Sequence, residues 1–449
     1  MNKLKCIIKP IAFIILFLIL FSAVSIPLFV SSTNREYQWM SGIYAERDDS
    51  LDAVYIGSSS CYTFWNPTVA WEQYGIAVLP YVCSSQPLVV AEYLVREARK
   101  TQPDALYIIN TNSISDGVEE IDDVLMHNLL DYMPLSVNKL RLTDYLCDTA
   151  DLSFSERLEY YFPIIRYHDV WDSLTEENFD YSLNGLKGAD IRDWYLGLIM
   201  NVTDEYLITD ECLPVSEAIV ESVDSLLDYC EQEDVNVLFV TVPRVETEEG
   251  AAERINTVNS FIESRGFEVL DLVDKLDEIG LDTATDYYNL HHTNLHGSIK
   301  YTYYLSEYLI EKYGFTDKRG EEDYADWDEA VVKYNEIIKA RRLPAEYAYH
   351  NRNYSIPAPY ISSLATVGND SIYILWTLAY GAEGYEIYRK VDDVEWIKIG
   401  ETAQADDTSF TDTDAAAPGK YVYTIVPFYD RDGERYYGKF NYWGYFVTK

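Results

Sequence analysis

A chain of 449 residues exceeds what one ordinary core accommodates, so two folded units with connecting pieces are expected. The formal net charge of -40 excludes a nucleic-acid partner gripped through its phosphates, and it repels anionic polymers at long range unless a local basic groove or screening ions let them dock. Cys6 lies in the apolar N-terminal segment and Cys61, Cys83, Cys147, Cys212 and Cys230 beyond it. They show no CxxC or Cys/His metal spacing and no regular disulfide framework, which leaves Cys61 with Cys83 as a candidate pair.

Met1 to Lys9 carries three lysines and no acid, and Ile11 to Val30 is almost wholly apolar. A run of roughly 20 apolar residues matches a hydrocarbon core about 30 Å thick and exceeds the usual cleaved signal, so 1–31 is expected to be an uncleaved, single-pass anchor. The lysines stay cytoplasmic by the positive-inside rule, which sends everything after Ser31 outside the cell. From Leu51 to about Tyr313 strands and helices alternate, as in a mostly parallel sheet covered on both faces. Strands are expected at 52–56, 76–82, 105–109, 235–241 and 267–271. Helices are expected at about 87–99, 216–231, 251–265 and 299–313. A long insertion, about 116–213, separates the third strand from the fourth, and insertions of that size over a sheet commonly wall a substrate site. From Ala325 to Arg342 the chain reads as a charged helical linker, within a connecting segment of 316–354. Ser355 to Pro359 then opens a region of short β-type runs divided by turn signals, which suggests an all-β sandwich over 355–449.

Two segments carry chemistry. The first strand ends in Gly57-Ser58-Ser59-Ser60, where a glycine permits a tight turn and a hydroxyl is presented at the carboxyl edge of the sheet, the edge at which open α/β folds bind ligands. A serine-rich turn after a strand also reads as a helix cap. Far downstream, Asp286 to Gly297 holds three of the six histidines, His291, His292 and His296, in a loop between the last strand and the last helix. Such a loop brings an imidazole to the same sheet edge, where a base for a serine must sit. The histidine spacing is not helical and lacks an acidic or thiolate partner set, so neither a metal nor a cofactor is expected.

Together these segments resemble the SGNH/GDSL hydrolase superfamily over about 48–315. The resemblance implies a three-layer, flavodoxin-like parallel sheet with a nucleophile in a Gly-x-Ser turn, which here is Ser59 after Gly57. The later segment is similar to the Asp-x-x-His-x-Asn-x-x-Gly form of envelope members such as alginate acetylation proteins and the teichoic-acid D-alanylation protein. His292, Asn294 and Gly297 fit that form and make His292 the base. The chain departs from it at Asn289, which stands where the family carries its acid. Asp286, three residues upstream, is the alternative acid, or the Asn289 amide orients the imidazole. For the oxyanion, the resemblance implies a backbone N–H after the serine, a glycine after the second strand and an asparagine after the third. Here the second loop reads Cys83-Ser84-Ser85-Gln86, and Asn110 and Asn112 follow the third strand. Asn112 is the candidate donor, with a turn-forming role as the alternative. Arg166 and His168 in the insertion are candidate substrate contacts, although such an aromatic stripe also reads as packing.

The tail, about 357–449, resembles a fibronectin type III domain, with Trp376 expected in its core and Tyr421 as its tyrosine corner. The combination implies a membrane-anchored, outward-facing serine esterase or O-acyltransferase acting on O-acetyl or D-alanyl esters of envelope polysaccharide, with a membrane O-acyltransferase as a candidate partner. The alternative is a catalytically quiet scaffold or glycan-binding partner in an envelope acylation system.

Overall fold

Five short apolar runs form one parallel sheet in the computed structural model: β1 (Ala53–Gly57), β2 (Val78–Val82), β3 (Leu106–Asn110), β4 (Val237–Thr241) and β5 (Val269–Asp271). Their order is β2-β1-β3-β4-β5, the strand order of flavodoxin-like doubly wound sheets. Alternate residues of β1 point to opposite sides. Val54 and Ile56 join the cluster that buries Leu94, Val95, Leu226 and Ile262, whereas Ala53 and Tyr55 join the one that buries Cys61, Phe64, Tyr301 and Leu305. Helices therefore cover both faces in three layers, which is why these strands are apolar throughout instead of alternating. The structure describes residues 9, 13, 16, 17, 21, 24–114, 121–192, 209–245, 249–283, 286–289, 291–341, 356, 358–368, 370–379, 382–392, 394–431 and 434–449. Of the expected anchor, 1–31, 18 residues lie outside them, nine of these within the apolar run 11–30. Among the described residues no helix is long and apolar enough to cross a membrane.

The expected elements recur with shifted ends. The last helix of the α/β unit begins at Leu295 and not at Ile299, because the Asn294 side chain caps it by accepting from the N–H groups of His296 and Gly297. In the insertion, the helices Asp123–Leu130 and Val137–Thr149 bury Leu125, Leu129, Leu142 and Leu146 in the same cluster as the sheet. The thiols of Cys61, Cys83, Cys147, Cys212 and Cys230 are all unbridged. The candidate pair of Cys61 and Cys83 is therefore not formed.

The segment expected to be a charged linker packs instead. Its helix, Ala325–Arg341, buries Trp327, Ala330, Tyr334 and Ile338, a spacing of three and four residues that lines one face. Trp327 lies 5.4 Å from the Trp71 ring and donates from Nε1 to Glu46 at 3.1 Å, and Tyr334 Oη accepts from Asn66 at 3.0 Å. Asp326, Glu329, Lys333 and Glu336 of the segment are exposed, and such charges hid this apolar stripe from a reading by composition.

Beyond it, antiparallel strands β8 (Ile361–Val367), β9 (Ser371–Trp376) and β12 (Ser409–Asp412) form one sheet. The facing sheet holds β10 (Gly384–Val391), β11 (Ile397–Thr402), β13 (Lys420–Arg431), β14 (Glu434–Tyr437) and β15 (Tyr445–Thr448). Trp376 is buried between them. Tyr421 Oη donates to the Ala417 carbonyl at 2.8 Å, the contact of a tyrosine corner.

Trp327→Ala should lower the unfolding free energy of the α/β unit by about 3–5 kcal/mol through the cavity it leaves. Urea denaturation followed by far-UV circular dichroism checks this, and an unchanged midpoint would return the helix to the status of a spacer.

Candidate active site

The site begins where β1 runs out of room. A Cβ on Gly57 would fall 2.7 Å from Asn110 Cβ on the neighbouring strand, so only glycine lets the two strand ends approach. Ser58 follows in an extended conformation, its Oγ accepting from Ser113 at 3.0 Å, and the helix Ser59–Phe64 starts at once. From Ala53 to Trp71 every residue except Ser59 is buried. The turn thus exposes one hydroxyl and hides its neighbours Ser58 and Ser60.

The imidazole comes from a small ladder, β6 (Tyr287–Asn289) paired with β7 (His292–Thr293). Two contacts hold this ladder against the last helix. Asn294 N–H donates to the Asp286 carbonyl at 2.8 Å, and Gly297 sits where a Cβ would lie 2.3 Å from that carbonyl oxygen. His292 Nε2 then lies 2.6 Å from Ser59 Oγ, and His292 Nδ1 lies 2.8 Å from Asn289 Oδ1. The backbone N–H of His291 also donates to Asn289 Oδ1, at 3.0 Å. That bond fixes which end of the amide is oxygen, because a backbone N–H can only donate. Nδ1 must therefore carry the proton, and Nε2 offers a lone pair to the Ser59 hydroxyl.

The other residues singled out in the sequence hold the frame. Asp286 is buried and accepts from Lys300 Nζ at 2.6 Å and from the Asp282 N–H at 2.8 Å, so its carboxylate is committed to that pair while Asn289 meets the imidazole. Asn112 donates to the Val242 carbonyl at 3.0 Å and accepts from the Val242 N–H at 2.8 Å, which ties the end of β3 to the end of β4. In the second loop, Cys83 N–H donates to Gln86 and Ser84 N–H to Glu36. Arg166 pairs with Asp123 and His168 with Asp169, within the insertion's own surface. Among the described residues, Asp123, His127 and Glu159 form the one group with metal-ligand chemistry, and it too belongs to the insertion.

Two arginines went unnoticed in the sequence. Arg244, three residues after β4, is 4% exposed, with Nη1 3.4 Å from Ser60 Oγ. Arg192, near the end of the insertion, accepts the Leu295 N–H on its carbonyl at 2.5 Å and sets its guanidinium 5.7 Å from the Tyr62 ring centroid. The signal for Arg244 was its place just past a strand at the carboxyl edge. Arg192 gave none, because a long insertion can return to the sheet anywhere. Burial first, then Arg192, His291 and Arg244, push the His292 pKa down to about 3.

No family model matches the chain, and no curated protein matches it. Solved structures similar to it include the fibronectin type III domain of human collagen XX, at 21% identity, spanning 23% of this chain and 100% of that one with a TM-score of 0.18. Another is FN3tt, at 20% identity, spanning 21% of this chain and 96% of that one with a TM-score of 0.16. These neighbours correspond to the C-terminal antiparallel sheets.

The depressed His292 has a consequence for stability. Below about pH 6.5 an unfolded chain protonates this imidazole, whereas the folded one refuses the proton until about pH 3, so its contribution drains as pH falls through that window. His292→Gln should flatten the decline of unfolding free energy over that range relative to the unmodified protein. Denaturant titrations at stepped pH measure it, and parallel declines would refute the shift.

Proposed function

We propose that this chain is an SGNH-type serine ester hydrolase or O-acyltransferase, anchored by its N-terminal segment and acting outside the membrane on acyl esters of envelope polysaccharide. The observation that carries the reading is the 2.6 Å contact of Ser59 Oγ with the unprotonated nitrogen of His292, whose other nitrogen is held by Asn289. In the reaction His292 takes the Ser59 proton as Oγ attacks the ester carbonyl. The imidazolium returns the proton to the departing alcohol, leaving an acyl-serine. Water or a sugar hydroxyl, deprotonated by His292 in turn, then releases the acyl group, so hydrolysis and transfer use the same residues. Asn289 holds the tautomer through both steps. Its amide carries no charge, so the transient imidazolium lacks the stabilisation that a carboxylate supplies.

That missing charge, with a base already depressed to about 3, also supports a second reading, a quiet scaffold that binds glycan or serves an acyltransferase. The two readings separate in one experiment. Ser59→Ala should abolish labelling by a fluorophosphonate probe and release of p-nitrophenol from its acetate. His292→Ala should lower both by about 10² or more. Asn289→Asp places a carboxylate against Nδ1 and should raise turnover by roughly tenfold or more, because the tautomer is already correct and only charge is added. Labelling that survives in Ser59→Ala removes the nucleophile, and no labelling of the unmodified protein puts the scaffold first.

For the topology, protease added to intact cells should digest a tag placed after Lys449. A tag that survives while known external proteins are destroyed would reverse the orientation.

A further inference from the structure

In the insertion, His127 is 4% exposed, and its Nδ1 lies 3.0 Å from Asp131 Oδ2. The same carboxylate oxygen accepts from Tyr167 Oη at 2.7 Å. A carboxylate only accepts, so Nδ1 carries the proton and Nε2 of the neutral ring presents a lone pair. Nε2 is buried and, among the described residues, has no hydrogen-bond partner. It faces Asp123 Oδ1, 3.6 Å away and four residues earlier on the same helix, Asp123–Leu130. The Tyr160 ring lies 4.7 Å from the imidazole, and Tyr160 Oη donates to Asp123 Oδ1 at 2.8 Å. Glu159 precedes Tyr160 on the helix Phe154–Tyr161, and single ligand atoms of Asp123, His127 and Glu159 all lie within 4.8 Å of one another.

Two acceptors that face each other away from water repel unless a proton or a cation stands between them. At 3.6 Å a shared proton makes no proper hydrogen bond. A metal bonded to each at about 2.0–2.2 Å holds such atoms roughly 3.3–3.6 Å apart. The Asp131 contact is also what steadies a metal-binding imidazole, since a carboxylate behind the ring orients it and makes the far nitrogen a stronger donor. One guanidinium attends the two acids of the group. Arg166 pairs with the other oxygen of Asp123, Oδ2, at 2.5 Å and approaches Glu159 at 3.9 Å, which leaves Asp123 Oδ1 toward His127 and holds Glu159 only weakly.

We propose that Asp123, His127 and Glu159 bind one divalent transition-metal ion, zinc by their donor set, with water completing a tetrahedral shell. An imidazole nitrogen beside two carboxylates suits zinc, whereas magnesium and calcium prefer oxygen alone. Within Phe154–Tyr161 only Tyr160 is buried, so apolar packing holds that helix weakly. The ion fastens it to Asp123–Leu130, whose Leu125 and Leu129 are rooted in the core beside the sheet. This role is independent of the serine-ester reading.

The test uses the full-length protein in detergent, freed of metal by a chelator and titrated calorimetrically with zinc chloride. The unmodified protein should bind zinc saturably, and magnesium chloride should give no comparable site. Asp131→Asn, which leaves all three ligands in place, should weaken zinc binding by about tenfold or more. His127→Gln and Glu159→Gln each remove a ligand and should weaken it at least as much. If His127→Gln fails to fold, Glu159→Gln decides alone, because its side chain is partly exposed. Zinc should also slow amide hydrogen exchange over 154–161 in the unmodified protein and not in Glu159→Gln, and unchanged exchange removes the fastening role. No saturable binding leaves His127 as an imidazolium held by Asp131 and overturns the proposal. Equal affinity in the unmodified protein and Glu159→Gln places zinc on other donors, such as the exposed Cys212, and overturns it too.

Discussion

Two hydrogen bonds accepted by Asn289 Oδ1, one from the His291 backbone and one from His292 Nδ1, set the tautomer and orientation of His292. The backbone donor leaves the amide no freedom to flip. The imidazole therefore keeps its proton on Nδ1 and turns a bare Nε2 to Ser59. A carboxylate at the same place would set the same tautomer and add a negative charge. An amide separates these two effects and supplies only the first.

The fold is organised to hold that geometry. Buried polar groups around the site mostly satisfy one another and pin chain ends. Asn112 joins β3 to β4, Asn294 caps the last helix, and Asp286 is fixed by Lys300 and the Asp282 backbone. Glycine appears where two backbones must approach too closely for a Cβ, at Gly57 and Gly297. Each feature looks functional in isolation. In the structure it positions a neighbour, whereas Ser59 Oγ and His292 Nε2 face each other.

Electrostatics runs against the composition. The strongly acidic chain keeps its exterior negative, yet the groups acting on His292 are Arg192, His291 and Arg244, and together with burial they make its protonated form costly. An imidazole depressed in this way stays neutral across the physiological range.

The layered sheet was legible in the sequence because a strand buried on both faces leaves a continuous apolar run, and the sandwich because short runs and turn residues recur at close spacing. The helix at Ala325–Arg341 was expected but its packing was not, since its apolar stripe of Trp327, Ala330, Tyr334 and Ile338 is diluted by charges elsewhere on its surface. Gly57, Ser59 and His292 stand in local patterns of a few residues, so the sequence by itself determined which serine and which histidine to compare. Whether Asn289 or Asp286 meets the imidazole was decided only by the tertiary structure, because three residues of offset place the two on different sides of the β6–β7 ladder's start, one against Nδ1 and the other against Lys300. The same holds for Arg192 and Arg244, whose convergence on His292 follows from chain paths that sequence separation does not constrain.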